Sequence, residues 1–255
     1  MDMTVPVWTT ALGWGILSGS ALIIGALLGY YFNLPKKIVA GTMAFGSGVL
    51  ISVVSVELVP QAIHKGGILP TALGFFFGGF IYTVANLRLS KKGAKHRKRS
   101  GKIQVSEEEQ GGSGLAIALG SLLDGIPESI VLGMSLIGSH SVSVATLVAI
   151  FISNVPEGLS STAGMKASGR SMKYIFLLWI SITTLSGLAC LAGYSVFQFF
   201  PTHILSFTVS LAAGAVLTML VETMIPEAHA EGGNYTGFLT LSGFLFSFIV
   251  SKFYN

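Results

Sequence analysis

The sequence predicts an all-helical integral membrane protein with eight transmembrane helices, and three observations lead to this fold class. Of the 255 residues, 51% are hydrophobic and only 10% are charged, whereas soluble domains carry roughly 25% charged residues. Apolar runs recur at the length of about 20 residues that a helix needs to cross about 30 Å of hydrocarbon. Most connections between these runs are short. We therefore expect residues 1–255 to form a single transmembrane domain.

Eight predicted membrane-crossing segments, here called spans 1 to 8, follow one another along the chain. Span 1 is not interpreted as a cleaved signal peptide, because no basic residue precedes it. Between spans 3 and 4, the segment 88–112 is first basic, then acidic, and ends in Gly-Gly-Ser-Gly, which predicts a flexible, solvated loop. The predicted spans are 9–31, 38–60, 69–87, 113–137, 141–164, 173–198, 204–226 and 236–253.

The basic residues are concentrated in the connections that follow spans 1, 3, 5 and 7. Thirteen of the fifteen Lys and Arg residues lie there, and only Lys65 and Lys252 lie on the other side. The positive-inside rule places these four connections in the cytoplasm and both chain termini outside. We therefore interpret the basic part of 88–112 as a topology signal and not as a nucleic-acid site. A bacterial or archaeal inner membrane is the expected location, with lipid as the surrounding partner.

Two pairs of spans share sequence patterns. Spans 2 and 7 read GSGVLISVVSVELVPQAIHKGG and AAGAVLTMLVETMIPEAHAEGG, and both contain Val-Glu, then Pro-x-Ala, then Gly-Gly. Spans 4 and 5 share the frame Gly-Ile-Pro-Glu and Asn-Val-Pro-Glu. The members of each pair cross the membrane in opposite directions, as in an inverted-topology repeat. The predicted arrangement is 3+2+3, with helices 4 and 5 central.

Acidic residues inside the apolar spans are the main functional signal. A charged side chain at the centre of a membrane helix costs about 2.5 to 3.5 kcal/mol. The two basic residues within the span limits, Lys173 and Lys252, lie at span ends. No intramembrane Lys or Arg is therefore expected to offset this cost, and we expect a bound cation or protonation to compensate. Five of the eleven acids are placed in this way: Glu57, Asp124, Glu128, Glu157 and Glu222.

The polar residues of spans 4 and 5 have the spacing of a shared helix face. Asp124 and Glu128 are four residues apart, as are Ser153 and Glu157, and such pairs are neighbours on a helix. Oxygen-rich sets suit hard or borderline divalent ions. The sequence therefore predicts a metal site near the membrane midplane, composed of Asp124, Glu128, Ser153, Asn154 and Glu157.

Prolines accompany both the predicted site and the two remaining acids. Pro127 and Pro156 each remove a backbone hydrogen bond and predict helix breaks beside the site. Glu57 and Glu222 each precede a proline near a helix end. We expect these two acids to lie at the entrance or around the site, with a purely structural role equally open.

These residues resemble the ZIP (Zrt/Irt-like) family of divalent metal transporters, in its bacterial branch, and the resemblance covers nearly the whole chain. The family pattern of helix 4, His-Asn-x-Pro-Glu-Gly, stands here as 124-DGIPES-129. The helix 5 pattern, Gln-Asn/Asp-x-Pro-Glu-Gly, stands here as 153-SNVPEG-158. The resemblance implies that Glu128 and Glu157 are bridging carboxylates of a two-metal site. It also implies that Asp124 and Asn154 are further ligands and Ser153 a weaker one.

The chain departs from the family pattern at several ligand positions. Asp124 and Gly125 replace the histidine and asparagine of helix 4. The acid that follows Ser-Gly-Leu in helix 6 of related members is missing, because Ala189 and Cys190 stand there. The segment 88–112 also lacks a His-rich tract. The remaining ligands are mainly oxygens, which weakens the case for zinc against manganese or iron.

The expected function is import of a divalent metal, zinc or else manganese or iron, with the metal as substrate and no cofactor. Two alternatives stay open: a proton-coupled transporter of another solute, and a family member that has lost transport. An intramembrane enzyme is disfavoured, because spans 4 and 5 contain no His or Lys to activate Ser153 or Ser160. The sequence leaves the oligomeric state open, a homodimer included.

Overall fold

The computed structural model describes residues 6–101, 103–138 and 142–254, which contain only helices, turns and connecting segments. The helices are α1 (Val7–Tyr31), α2 (Lys36–Val53), α3 (Val59–Gly66), α4 (Ile68–Leu89), α5 (Ser113–Met134), α6 (Val144–Ala167), α7 (Met172–Phe197), α8 (Thr202–Met219), α9 (Ile225–Gly232) and α10 (Thr236–Tyr254). Span 1 corresponds to α1, span 2 to α2 with α3, and span 3 to α4. Spans 4, 5 and 6 correspond to α5, α6 and α7.

Seven helical stretches in the described part of the chain are long and apolar enough to cross a membrane. Large apolar side chains such as Phe76 and Phe80 lie on the outer surface, 67% and 57% exposed. An extensive apolar exterior is unfavourable in water and typical of a surface that faces lipid. The predicted class, an all-helical membrane protein, is therefore confirmed. The last stretch, Thr202–Phe253, contains both span 7 and span 8, so the count of eight stays a prediction.

Irregular helical turns lie at Glu57 and Glu222, and not at Pro127 and Pro156 where the sequence predicts helix breaks. The turns Val54–Leu58 and Leu220–Met224 are π-helical, and each contains one intramembrane acid, Glu57 or Glu222. By contrast, α5 and α6 continue through Pro127 and Pro156 without an unwound turn. Single π-helical turns inside longer helices are frequent at functional sites.

Glycines allow the helices to pack closely around α5 and α6. A Cβ added at Gly25 in α1 would collide with the backbone of Val155 in α6, and one at Gly133 in α5 would collide with Cys190 in α7. The same is true of Gly78 in α4 against α8, and of Gly243 in α10 against α2. Such small residues let helix backbones approach closely. The α6 helix is the most buried of these stretches, at 72%, and α5 is half buried.

The connections after spans 1, 3, 5 and 7 meet at one end of the molecule. Lys36 Nζ lies 3.8 Å from Glu231 Oε1, and the Ser100 hydroxyl donates to Glu231 Oε2 at 2.8 Å. Arg170 Nη1 lies 3.1 Å from Glu107 Oε2. These contacts agree with the predicted placement of all four connections on one side. That this side faces the cytoplasm stays a prediction.

The segment 88–112 is only partly exposed. It begins at the end of α4 and turns at Gly93, whose φ of 98° favours glycine. Arg97 and Lys98 are each only 1% exposed. The prediction that this segment is solvated is therefore wrong for these two residues, and the cause is the ion pairing described below. Its flexibility and its cytoplasmic location stay predictions.

Candidate functional site

The intramembrane acids of α5 and α6 form a buried cluster. Asp124, Glu128 and Glu157 are 2%, 6% and 6% exposed. Lys98 Nζ lies 3.1 Å from Asp124 Oδ2 and 3.0 Å from Glu157 Oε2. Carboxylates from two helices therefore converge on one ammonium group, and the predicted proximity of Asp124 and Glu157 is present.

Asp124 has the most complete set of polar partners in the cluster. The Arg97 guanidinium donates to both carboxylate oxygens, at 3.0 Å from Nη2 and 3.2 Å from Nε. The Tyr82 hydroxyl donates to Asp124 Oδ1 at 2.6 Å and accepts from Arg97 Nη2 at 2.9 Å. Charge-assisted pairs in which Arg contacts both carboxylate oxygens are among the stronger hydrogen bonds in proteins. Asp124 is therefore held in one orientation by an arginine, a lysine and a tyrosine.

The expectation that the intramembrane acids lack basic partners is wrong. Arg97 and Lys98 belong to the segment 88–112 and not to a span, but their long side chains reach Asp124 and Glu157. Buried charges persist when they are paired and hydrogen-bonded. Two of the five acids are thus neutralised by the chain itself. Their burial alone consequently no longer requires a bound cation.

Glu128 differs from its two neighbours, because no described residue forms an ion pair or hydrogen bond with it. Its side chain lines a narrow cavity of about 10 Å³ between α2, α5, α6 and α8, which is room for about one water molecule. The other lining residues are Thr146 and apolar side chains, among them Leu50 and Ile150. Glu128 is therefore the acid of this cluster whose charge is left unpaired among the described residues.

The described residues do not form a metal cage in this arrangement. Residues 6–101, 103–138 and 142–254 contain no group of three or more His, Cys, Asp and Glu side chains placed to hold a metal ion. The ammonium group of Lys98 lies where two of the expected ligands, Asp124 and Glu157, converge. The observed cluster is an ion-pair network, and the predicted ligand set stays a prediction.

Ser153 and Asn154 lie on α6 beside this network and are buried. The Ser153 hydroxyl donates to the Ile150 carbonyl at 3.0 Å, and Asn154 Nδ2 donates to the Ser18 carbonyl of α1 at 3.0 Å. The donor group of each side chain is therefore hydrogen-bonded to a backbone carbonyl. Their oxygen atoms keep the acceptor character that a cation ligand needs.

Glu222 is connected to the cluster through Asn86. Asn86 Nδ2 donates to Glu222 Oε2 at 2.8 Å, and Asn86 Oδ1 accepts from Arg97 Nη1 at 2.8 Å. The Thr83 hydroxyl donates to the other oxygen of Glu222 at 2.6 Å. Glu222 is thus separated from Asp124 by Asn86 and Arg97, and its role at the entrance or around the site stays a prediction.

Glu57 has hydroxyl partners from two other parts of the chain. The Ser143 hydroxyl, at the start of α6, donates to Glu57 Oε2 at 3.3 Å. The Ser251 hydroxyl of α10 donates to Glu57 Oε1. Glu57 and Glu222 thus lie on matching π-helical turns, and Glu222 is connected to the ion-pair network through Asn86. An entrance role for Glu57 stays a prediction.

The sequence interpretation missed several residues of the cluster and its surroundings, among them Asn86 and Thr83. Arg97 and Lys98 lie 27 and 59 residues from their partners Asp124 and Glu157, and no local pattern indicates such contacts. Tyr82 could have been identified from the sequence, because the hydroxyl of a buried tyrosine usually has a hydrogen-bond partner. Glu227 of α9 is 6% exposed, and its Oε2 has no hydrogen-bond partner among the described residues.

Comparison with known proteins reveals similarity to bacterial transporters over most of the chain. One relative is "Zinc transporter ZupT" of Shigella flexneri serotype 5b (strain 8401), 23% identical over 237 residues, 91% of this chain and 90% of that protein. "Zinc transporter ZupT" of Escherichia coli O7:K1 (strain IAI39 / ExPEC) matches with the same identity and coverage. No family model matches. The comparison points to a transporter and not to an enzyme.

Proposed function

We propose that this chain is a divergent member of the ZIP family of metal transporters. We further propose that it carries divalent metal cations across a bacterial inner membrane, with zinc as the first candidate. Its similarity to the ZupT proteins supports both proposals. The observation that carries the proposal is the convergence of Asp124 of α5 and Glu157 of α6 on one positive charge. This position already holds a cation, the ammonium group of Lys98. The ZupT relatives, named as zinc transporters, support zinc as the cation that is moved.

The donor chemistry supports a divalent ion as the substrate. Glu128 supplies a third carboxylate that no described residue pairs with, and Ser153 and Asn154 supply neutral acceptor oxygens. Carboxylate and amide oxygens without a thiolate or imidazole suit manganese and iron(II) as well as zinc. We therefore include these two metals as substrates to be compared with zinc. The metal is cargo in this proposal and not a resident cofactor.

The length of the last helical stretch supports eight crossings. A straight helix of the 52 residues in Thr202–Phe253 would be about 78 Å long, more than twice the hydrocarbon thickness. The chain turns at Gly233, whose φ is 65°, between α9 and α10. We propose that α8 with α9 crosses once and α10 crosses back.

The helix contacts support the 3+2+3 inverted repeat. Packing of α4 on α8 has its counterpart in packing of α10 on α2, and packing of α1 on α6 has its counterpart in packing of α7 on α5. The inverted repeat matches span 1 with span 6, span 2 with span 7, span 3 with span 8 and span 4 with span 5. This matching converts each of these helix pairs into its counterpart. In this arrangement α5 and α6 lie at the pseudo-symmetry axis, where transporter sites are commonly found.

We further propose that transport is import. The connections rich in Lys and Arg face the cytoplasm by the positive-inside rule, with both termini outside. Alternating access then occurs as one helix bundle moves against the other around the cluster. Membrane lipid surrounds the apolar outer surface on which Phe76 and Phe80 lie.

Metal uptake into proteoliposomes tests the proposal. Purified wild type and a variant with Glu128→Ala and Glu157→Ala are compared for uptake of zinc, manganese and iron(II) into vesicles that contain a metal-sensitive dye. A matched control carries Glu108→Ala and Glu109→Ala, which remove two exposed acids. We expect wild type and control to take up metal, and the site variant to remain at the level of empty vesicles. Equal uptake by the site variant would show that the site assignment is wrong.

A proton-coupled transporter of another solute is the second candidate, because Asp124 and Glu157 already have internal cations and Glu128 has none among the described residues. Equilibrium dialysis of the purified protein against zinc, manganese, iron(II) and cadmium separates the two candidates. Absence of binding for all four ions would favour this second function. Binding without uptake would instead indicate a family member that has lost transport.

A further inference from the structure

Lys98 is held at the position where the two helices present their carboxylates. Its amino group is 1% exposed and contacts Asp124 and Glu157 at 3.1 and 3.0 Å. We propose that Lys98 is a built-in counter-cation that competes with the transported metal for the Asp124–Glu157 position. The inference rests on the proposed function and adds that residues 95–101 together with Gln104, here called the plug segment, withdraw when metal binds.

Distance is the first reason for competition. A divalent metal binds carboxylate oxygen at about 2.0 to 2.2 Å, and the Lys98 ammonium contacts the same oxygens at close to 3 Å. A metal bound to both carboxylates would therefore lie within contact distance of Nζ. Two positive charges at that separation in a poorly solvated site repel strongly. The position accepts the ammonium group or the metal, but not both together.

Charge balance is the second reason. Asp124, Glu128 and Glu157 carry three negative charges when ionised, and Arg97 supplies one positive charge that remains beside Asp124. A divalent ion together with Arg97 neutralises these three carboxylates. With Lys98 also present, the cluster would hold four positive charges against three. Exchange of Lys98 for the metal therefore keeps the buried charge small, as burial requires.

The plug segment is held in place by hydrogen bonds and by close packing against α5 and α6. Gln104 Nε2 donates to the carbonyls of Arg97 and Arg99 at 3.0 Å, and to the Ser161 carbonyl of α6 at 3.2 Å. In α5, a Cβ at Gly120 would lie 2.7 Å from Arg97 Cδ, so only glycine leaves room for the arginine. Gly164 of α6 similarly leaves room for the Arg99 carbonyl. Each of the two helices thus has a glycine at the point where this segment packs against it.

Zinc affinity measured on full-length variants in detergent tests the competition. Lys98→Met keeps an unbranched side chain only one atom shorter and removes the charge. Lys95→Met is the matched control, because Lys95 lies in the same segment but is exposed. In equilibrium dialysis, we expect Lys98→Met to bind zinc about tenfold more tightly than wild type, within the usual range of coupling between exclusive ligands. Lys95→Met should match wild type.

The outcomes separate this inference from the proposed function. Zinc binding by wild type with equal or weaker binding by Lys98→Met would overturn the inference alone. Failure of wild type and both variants to bind zinc, manganese or iron(II) would overturn the proposed function and the inference together. Size-exclusion chromatography identifies a variant that has not folded.

Chemical labelling of wild type gives a second test that needs no variant. Lysines are acetylated with a water-soluble reagent, and the modification of Lys98 and Lys95 is followed by mass spectrometry with and without zinc. We expect Lys98 to react much more slowly than Lys95 without metal, and faster once zinc is bound. Equal reactivity of the two lysines without metal, or no change at Lys98 when zinc binds, would overturn the inference.

Discussion

Replacing Arg97 with methionine removes the guanidinium group that contacts Asp124, Tyr82 and Asn86. Methionine is apolar and fills the path of the arginine side chain as far as Nε, so packing of Cδ and Nε against Gly120 is largely kept. The carboxylate of Asp124 then retains Lys98 and the Tyr82 hydroxyl, but loses its two contacts with the guanidinium. We expect Arg97→Met to destabilise the folded protein, because a buried charge is left incompletely paired.

The size of the effect follows from burial. Both side chains of the Arg97–Asp124 pair are 1% exposed. Loss of one partner of a buried pair costs about 3 to 5 kcal/mol, whereas an exposed pair contributes about 0 to 1 kcal/mol. Because Lys98 still contacts Asp124, we expect a loss near the lower limit, about 3 kcal/mol. Arg88→Met, at an exposed arginine, should stay within about 0.5 kcal/mol of wild type.

The assay is the free energy of unfolding in mixed micelles, obtained by titration with SDS and followed by tryptophan fluorescence. A double-mutant cycle with Asp124→Asn isolates the pairwise contribution, for which we expect a coupling energy of about 1 to 3 kcal/mol. If Arg97→Met were as stable as Arg88→Met, or if the two substitutions were additive, the buried ion-pair network would not exist as described.

Two further predictions concern the segment 88–112: its packing against Gly120 of α5, and the contacts of Glu107 with the start of α5. Gly120→Ala should cost about 1 to 3 kcal/mol of unfolding free energy, because the added Cβ would lie 2.7 Å from Arg97. Gly125→Ala should be nearly neutral, because the nearest neighbour of its Cβ would be 3.9 Å away. Equal stability of the two variants in the SDS titration would contradict close packing of Arg97 against Gly120. Backbone N–H groups at the start of α5 and the Arg170 guanidinium lower the pKa of Glu107 to about 2. Since the pKa in the unfolded chain is about 4.3, the contribution of Glu107 to stability is complete above that pH and is lost as the pH falls through about 2. Carbon-13 NMR of the Glu107 carboxyl group measures this titration, which should move upward in Arg170→Ala, and a wild-type midpoint near 4.3 would refute the anchoring contact.

The sequence alone determined the membrane class and the approximate helix positions. A bilayer requires about 20 apolar residues for each helical crossing, whatever the neighbouring helices are, and this requirement is visible in a single sequence. The sequence also identified Asp124, Glu128 and Glu157 as unusual, because the pattern of a charged residue in an apolar helix is visible without the tertiary fold. The Pro-Glu pairs in α5 and α6 supplied the family resemblance that the comparisons support.

Only the tertiary structure decided how two of these acids are neutralised. Arg97 and Lys98 lie in a segment whose composition predicts solvation, yet they are buried against residues 27 and 59 positions away. The structure likewise places π-helical turns at Glu57 and Glu222, while the helices continue through Pro127 and Pro156. Hydropathy describes the preference of each residue for water or lipid. Whether a particular charge is buried depends instead on a complementary charge brought close by folding, and such long-range pairing leaves no periodic pattern in the sequence.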